Sequence, residues 1–148
     1  MSFVPDDFPV PKTFDGEGFR LEPLTAAHNV QDYAAWHNSI QHIKATPGFE
    51  TRNWPMEDFS LEQNLADLVA HEDEFARRVG FTYSVLSSVT GEVIGCLYLI
   101  PPKREGFDVD VRSWVCSEHA ELDKPLYDAV LKWIATEWPF KSVDYAKR

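Results

Sequence analysis

Two stretches of this chain carry residues whose types and spacing could do chemistry. The first is WVCSEHAELDKPLYDAVLKWI, residues 114–134. A β-like run ends at Cys116, and an amphipathic helix begins near Lys124. The segment Ser117 to Asp123 joins them. A strand, a short loop and a helix N-terminus form a common cradle for a phosphate-bearing group. The first N–H groups of the helix lack partners there, and the helix dipole favours an anion. Glycine usually lets the backbone close on the phosphate, but this loop has none and carries Glu118, Glu121 and Asp123. Asp123 is the expected helix N-cap, where a carboxylate takes the same N–H groups and repels a phosphate. Cys116 has His119 three residues on. A thiol nucleophile needs a base or cation that lowers its pKa, and the sequence names no third group to orient this histidine. A structural cysteine is the simpler reading.

The second stretch is KREGFDVDVRSWVC, which holds Glu105, Asp108 and Asp110. Alternation puts Asp108, Asp110, Arg112 and Trp114 on one face of a strand and Val109, Val111, Ser113 and Val115 on the other. The plain reading of the two aspartates is a solvent face, with Asp110 and Arg112 as an ion pair of small energetic weight. His28, His37, His42, His71 and His119 form no H-x-x-x-H pair with an acidic partner, which argues against a bound metal.

These residues need elements to position them. Residues 1–18 read as an extended N-terminal arm, and 19–148 as a single domain. FRLEPL, residues 19–24, alternates as a strand. Thr25 can cap a helix over about 26–38, with Val30, Tyr33, Ala34 and His37 on one face. TPGFETRNWP is a loop. Ser60 and Gln63 form a capping box. Behind it, Leu61, Leu65, Leu68, Val69, Phe75, Ala76 and Val79 recur at helical spacing until Gly80 stops the run. The period then changes to two. Strands are expected at 81–89, 93–100 and 107–116, the first pair joined by a tight TGE turn. The helix from Lys124 is apolar over a wide arc, and PFKSVDYA, residues 139–146, is a last strand. The order is β-α-α-β-β-β-α-β.

Composition narrows the function classes. The chain has 148 residues, a net charge of -10 and 44% hydrophobic residues, enough for a real core in one domain. The acidic balance argues against nucleic acid and against an anionic membrane surface as partners. No apolar run approaches the ~20 residues of a transmembrane helix. Cys96 and Cys116 lie far apart, which fits a reduced, cytoplasmic protein.

The element order, with FRLEPL, YSVLSSVTGEVIGCLYLIPP, DVDVRSWV and LYDAVLKWIATEWPFKSVDYA, resembles the GNAT superfamily of acyl-CoA-dependent N-acetyltransferases. The resemblance runs from about residue 19 to residue 148. It implies an α+β fold with a mixed, mainly antiparallel sheet and helices on both faces. It implies acetyl-CoA or another acyl-CoA as co-substrate, a small-molecule or peptide amine as acceptor, and no metal. In that family the main chain at the end of the third meander strand holds the pantetheine arm, which places it at Val115, Cys116 and Ser117. The pyrophosphate would then lie near Asp123 and Lys124. The amine attacks the thioester directly, helped by a general base, and Asp108, Asp110 and Glu105 are the nearest carboxylates. Trp54 lies in a loop that lines the acceptor side in such enzymes.

Two features depart from the family pattern. The R/Q-x-x-G-x-G/A pyrophosphate loop is replaced by SEHAELDK, without Gly or Arg. The family also continues past the fifth strand with a helix, which often bears a tyrosine acting as general acid, and a hairpin. Here Tyr145 is the nearest tyrosine to that position. An uncovered edge on the last strand invites pairing with a second copy, so a homodimer is expected there. These departures keep open a second reading, a binding or dimerising module that does not use CoA. A third is a small-ligand-binding α+β domain of other ancestry.

Overall fold

The computed structural model describes residues 2–148. Six strands form one sheet in chain order: β1 (Phe14–Asp15), β2 (Phe19–Pro23), β3 (Phe81–Ser87), β4 (Val93–Ile100), β5 (Val109–Val115) and β6 (Val143–Tyr145). All neighbours are antiparallel except β5 and β6, which run parallel. A parallel neighbour needs a crossover, and α4 (Asp123–Glu137) supplies it. The helices α1 (Asn29–His37), α2 (Ile40–Lys44) and α3 (Leu61–Ala76) fall between β2 and β3. The fold is the expected α+β architecture with a mainly antiparallel sheet.

Two apolar clusters lie against the sheet. One joins Leu126, Val130, Trp133 and Ile134 of α4 to Leu21, Tyr83, Leu97 and Val111 of the sheet. Residues of the arm belong to this cluster: Val4 is buried, and Phe3, Phe8 and Val10 pack against it. The arm is further held by Tyr83, whose hydroxyl donates to the Pro11 carbonyl, and its Phe14–Asp15 pair adds the edge strand β1. The other cluster joins Trp36 of α1, Ile43 of α2 and Leu68 of α3 to Cys96 and Trp114 of the sheet. Both faces are therefore covered. That corrects the solvent-face reading of β5, because Asp110 is 5% exposed and Trp114 is fully buried.

The inward faces of α1 and α3 differ from those expected. Val30 is 67% exposed, and Asn29, Asp32 and Trp36 are the buried residues of α1. On α3, Leu61, Leu65 and Val69 are exposed, while Asn64, Leu68 and Phe75 are buried. The cause is a polar lock between the two helices. The Asn64 amide donates to Asn29 Oδ1 at 2.8 Å and to Asp32 Oδ2 at 3.1 Å, and its oxygen accepts from Trp36 Nε1 at 3.1 Å. Buried polar groups that satisfy one another can occupy a core position that periodicity would give to leucine.

The predicted capping box on α3 is present, with Gln63 N–H donating to Ser60 Oγ and Ser60 N–H to Gln63 Oε1. Its end differs, because Arg78 rather than Gly80 takes the left-handed conformation, with φ 63°. The Arg78 guanidinium donates to the carbonyls of Pro5 and Phe8 and so anchors the arm. The short α2 was not expected, since five residues are too few to show a period.

Candidate functional site

The β5–β6 pair opens into a fork. Val109, Asp110 and Val111 pair with Val143, Asp144 and Tyr145, and the pairing stops there. Cys116 N–H donates to the Ile94 carbonyl on the β4 side. By alternation, Ser113 and Val115 direct their backbone groups to the open side. Of Val115, Cys116 and Ser117, the residues expected to hold a pantetheine arm, Val115 is the one whose backbone faces the fork.

The fork is filled by Arg148. Its side chain is 3% exposed. The guanidinium donates to the Ser113 carbonyl at 2.8 Å, to the Ala146 carbonyl at 2.9 Å and to the Pro47 carbonyl at 3.3 Å. It also grips Asp123 through both carboxylate oxygens, at 2.6 and 3.2 Å. A bidentate, charge-assisted pair of this kind is among the stronger polar contacts available. Asp123 is thus not the N-cap. It is the first residue of α4, Leu122 precedes it as the cap, and its carboxylate serves Arg148.

The loop before α4 is also not an open cradle. Ser117–Leu122 forms a 3₁₀ turn. His119 N–H donates back to the Cys116 carbonyl, and Asp123 N–H to the Ala120 carbonyl. Ser117 N–H donates to Ser39 Oγ at 2.9 Å. These donors are spent inside the protein instead of converging on an anion. Lys124 is exposed and pairs with Asp128 one turn on. His119 Nδ1 lies 3.3 Å from Cys116 Sγ, but burial raises the thiol above its usual value, opposite to what a nucleophile requires.

The three carboxylates weighed as a base are not brought together. The Asp108 carboxylate accepts from the N–H groups of Ser142 and Lys141, at 2.9 and 2.8 Å. Those bonds hold its pKa below the ordinary value and fasten the start of β5 to the start of β6. Glu105 is exposed in the turn before β5. Asp110 pairs with Arg112 at 3.1 Å, and burial raises its pKa. The Tyr145 hydroxyl is hydrogen-bonded to Ser113 Oγ, and burial raises its pKa too.

Beside the fork, between the α1–α3 layer and the sheet, lies a cavity of about 270 Å³. Trp54 lines it, with ring centroids 5.4 Å from Trp36 and 6.0 Å from Trp114. Tyr98, Arg112, Asp32, Asp67 and His71 also reach it. Sequence reasoning found Trp54 and missed Asp32. Asp32 is 4% exposed, and burial raises its pKa to about 6, with the Asp67 charge adding to the rise and the Asn64 bond opposing it. A carboxyl shifted in this way within a cleft is a physical mark of a functional site. The available signal was an acidic residue in the first turn of a helix whose neighbour, Trp36, has to be buried.

Comparison with known proteins gives the fold. No protein-family model matches the chain, and no curated protein matches it. Solved structures do. Mycobacterium smegmatis RimJ in complex with CoA-disulfide superposes with a TM-score of 0.70 at 11% identity, over 90% of this chain and 66% of that one. The ribosomal-protein-S5-alanine acetyltransferase from Vibrio fischeri gives 0.64 at 14% identity, over 84% and 67%. The microcin C7 self-immunity acetyltransferase MccE, in complex with acetyl-CoA and AMP, gives 0.58 at 11% identity, over 80% and 62%. The chain spans about two thirds of the length of these structures. Its fold is that of the GNAT superfamily of N-acyltransferases.

Proposed function

We propose that the protein transfers an acyl group from an acyl-CoA to the amine of an acceptor held in the aromatic cavity. The observation that carries this reading is the fork. β6 leaves β5 after Val111 ↔ Tyr145, so no strand pairs with the β5 edge at Ser113 and Val115, and Arg112 of the same strand lines a cavity with an aromatic wall. In the reaction, the amine nitrogen bonds to the acyl carbon and the C–S bond breaks. Of the two protons lost by the ammonium, one ends on the CoA thiol and the other passes to a base or to solvent. No side-chain nucleophile is needed, which agrees with the raised pKa of Cys116.

The reading carries a condition. The Arg148 side chain lies along the edge the pantetheine arm would use, so residues 146–148 must withdraw when cofactor enters. Without a glycine loop, the phosphate end is held weakly, and affinity rests on the arm. Acetyl-CoA titrated into the protein is expected to raise its melting temperature. A ligand at ~100 times its dissociation constant adds ~2.7 kcal/mol to the unfolding free energy. No change in melting temperature at millimolar acetyl-CoA would remove the acyl-transfer reading.

A further inference from the structure

We propose that the outward face of α3 is a docking surface for a cationic amphipathic helix of another protein. The inference lies beyond acyl transfer and does not depend on it.

The face is made by what the polar lock displaces. α3 buries Asn64, Leu68 and Phe75 and turns Leu61, Leu65 and Val69 to solvent, at 40%, 41% and 51% exposure. These three recur every fourth residue, so they form one stripe about 12 Å long. Met56, 40% exposed, stands in the turn that leads into the helix, where Phe59 N–H donates to its carbonyl. Scattered apolar side chains are ordinary on a surface, but a row of them on one helix marks an interaction site. An asparagine fills the inward position of this helix while its leucines face out, so α3 has one apolar stripe for this fold and a second that the fold does not use. The surface is also preformed. The Ser60–Gln63 box fastens the first turn, and Asn64 ties α3 to Asn29, Asp32 and Trp36 of α1.

Charge selects the occupant. Neither α1 nor α3 contains a lysine or an arginine. Glu57, Asp58 and Glu62 stand at the N-terminal end of the stripe and, among the described residues, form no ion pair. Towards the other end Glu72 accepts the Ala26 N–H, which leaves its charge in place, and Asp73 is paired with Arg77 at 2.7 Å. A second copy would bring the same carboxylates against these, and an anionic membrane would be repelled in the same way. A helix with an apolar seam bordered by lysine or arginine satisfies both the stripe and its acidic border. Anchors spaced one turn apart on such a helix match side chains spaced one turn apart here.

The test uses a helical peptide of about 18 residues, with leucine on one face and lysine on the other, and its counterpart with glutamate in place of lysine. Calorimetry on the intact protein is expected to show the leucine–lysine peptide binding at least about tenfold more tightly than the leucine–glutamate one. The double variant Leu65→Ser, Val69→Ser keeps every charge and is expected to weaken the leucine–lysine peptide by at least about tenfold. Backbone amide NMR of the intact protein locates the peptide whether or not the variant folds, and saturable shift changes are expected over 61–73. No binding of the leucine–lysine peptide, equal affinity for the two peptides, an unchanged affinity in the folded variant, or shift changes confined to other segments would each overturn the proposal. So would a dimer of the intact protein, seen by sedimentation, that the double variant dissolves, because a second copy would then hold the face.

Discussion

Replacing Arg148 with alanine is expected to move stability and cofactor affinity in opposite directions. The guanidinium is almost wholly buried, and its hydrogen bonds go to Asp123 and to carbonyls of Ser113, Ala146 and Pro47. Removing one partner of a buried ion pair strands the other and commonly costs about 3–5 kcal/mol. Asp123 retains some solvent access, so about 3 kcal/mol is the expected loss, read from urea denaturation. The same change frees the Ser113 carbonyl and clears the edge beside Val115. Acetyl-CoA should then bind at least about tenfold more tightly than to the intact protein. If Arg148 instead served as an anion anchor, affinity would fall. The geometry favours the first outcome, because the guanidinium nitrogens already hold protein carbonyls and a carboxylate.

The second large effect comes from Asp32. At about pH 7.5, Asp32→Asn is expected to stabilise the protein by about 3 kcal/mol. The sign follows from the direction of the shift. Burial raises the folded-state pKa from 3.8 to about 6. Between those values the folded protein binds a proton that the unfolded chain has lost. Stability of the intact protein therefore falls as pH rises from about 4 to about 6, then levels off. Asparagine does not titrate. The two proteins should be equal in this respect near pH 4, with the gap opening through pH 6. Asp67, His71, Cys96, Tyr98, Arg52 and Arg112 stand near Asp32 in both proteins, so the comparison isolates Asp32 to first order. A stability gap that does not depend on pH would show that folding leaves the Asp32 pKa unshifted.

Much of the fold could be read from the chain because its signals are local. The alternation in FTYSVLSS, the apolar run VIGCLYLI, the Ser60–Gln63 box and the wide apolar arc of α4 each require neighbours only a few residues away. What could not be read depends on distant partners. Asn64 looks like a surface residue until Asn29, Asp32 and Trp36 surround it, and with it buried, Leu61, Leu65 and Val69 turn outward. Asp110 looks like half of a solvent-facing pair, yet in the fold it is 5% exposed.

The site was legible in outline and misread in detail for the same reason. Of the segment Val115–Ser117, Val115 faces the fork while the Cys116 and Ser117 N–H groups donate to the Ile94 carbonyl and Ser39 Oγ, and Trp54 lines the cavity. Asp123 was assigned to its own helix end, the nearest partner in sequence. Its actual partner is Arg148, 25 residues away. No periodicity marks that pairing, and a lone arginine after a strand carries no pattern of its own. Asp108 looked available for chemistry, yet its carboxylate is taken by two N–H groups more than 30 residues further on.

The central claim is that acyl-CoA enters the fork between β5 and β6 and displaces Arg148. Backbone amide NMR of the protein titrated with acetyl-CoA tests it most directly. The expected result is a set of saturable shift changes centred on Ser113 to Ser117 and on Ala146 to Arg148, with Asp123 responding as its ion pair opens. Saturable changes elsewhere with the fork silent, or no changes at millimolar acetyl-CoA, would contradict the account.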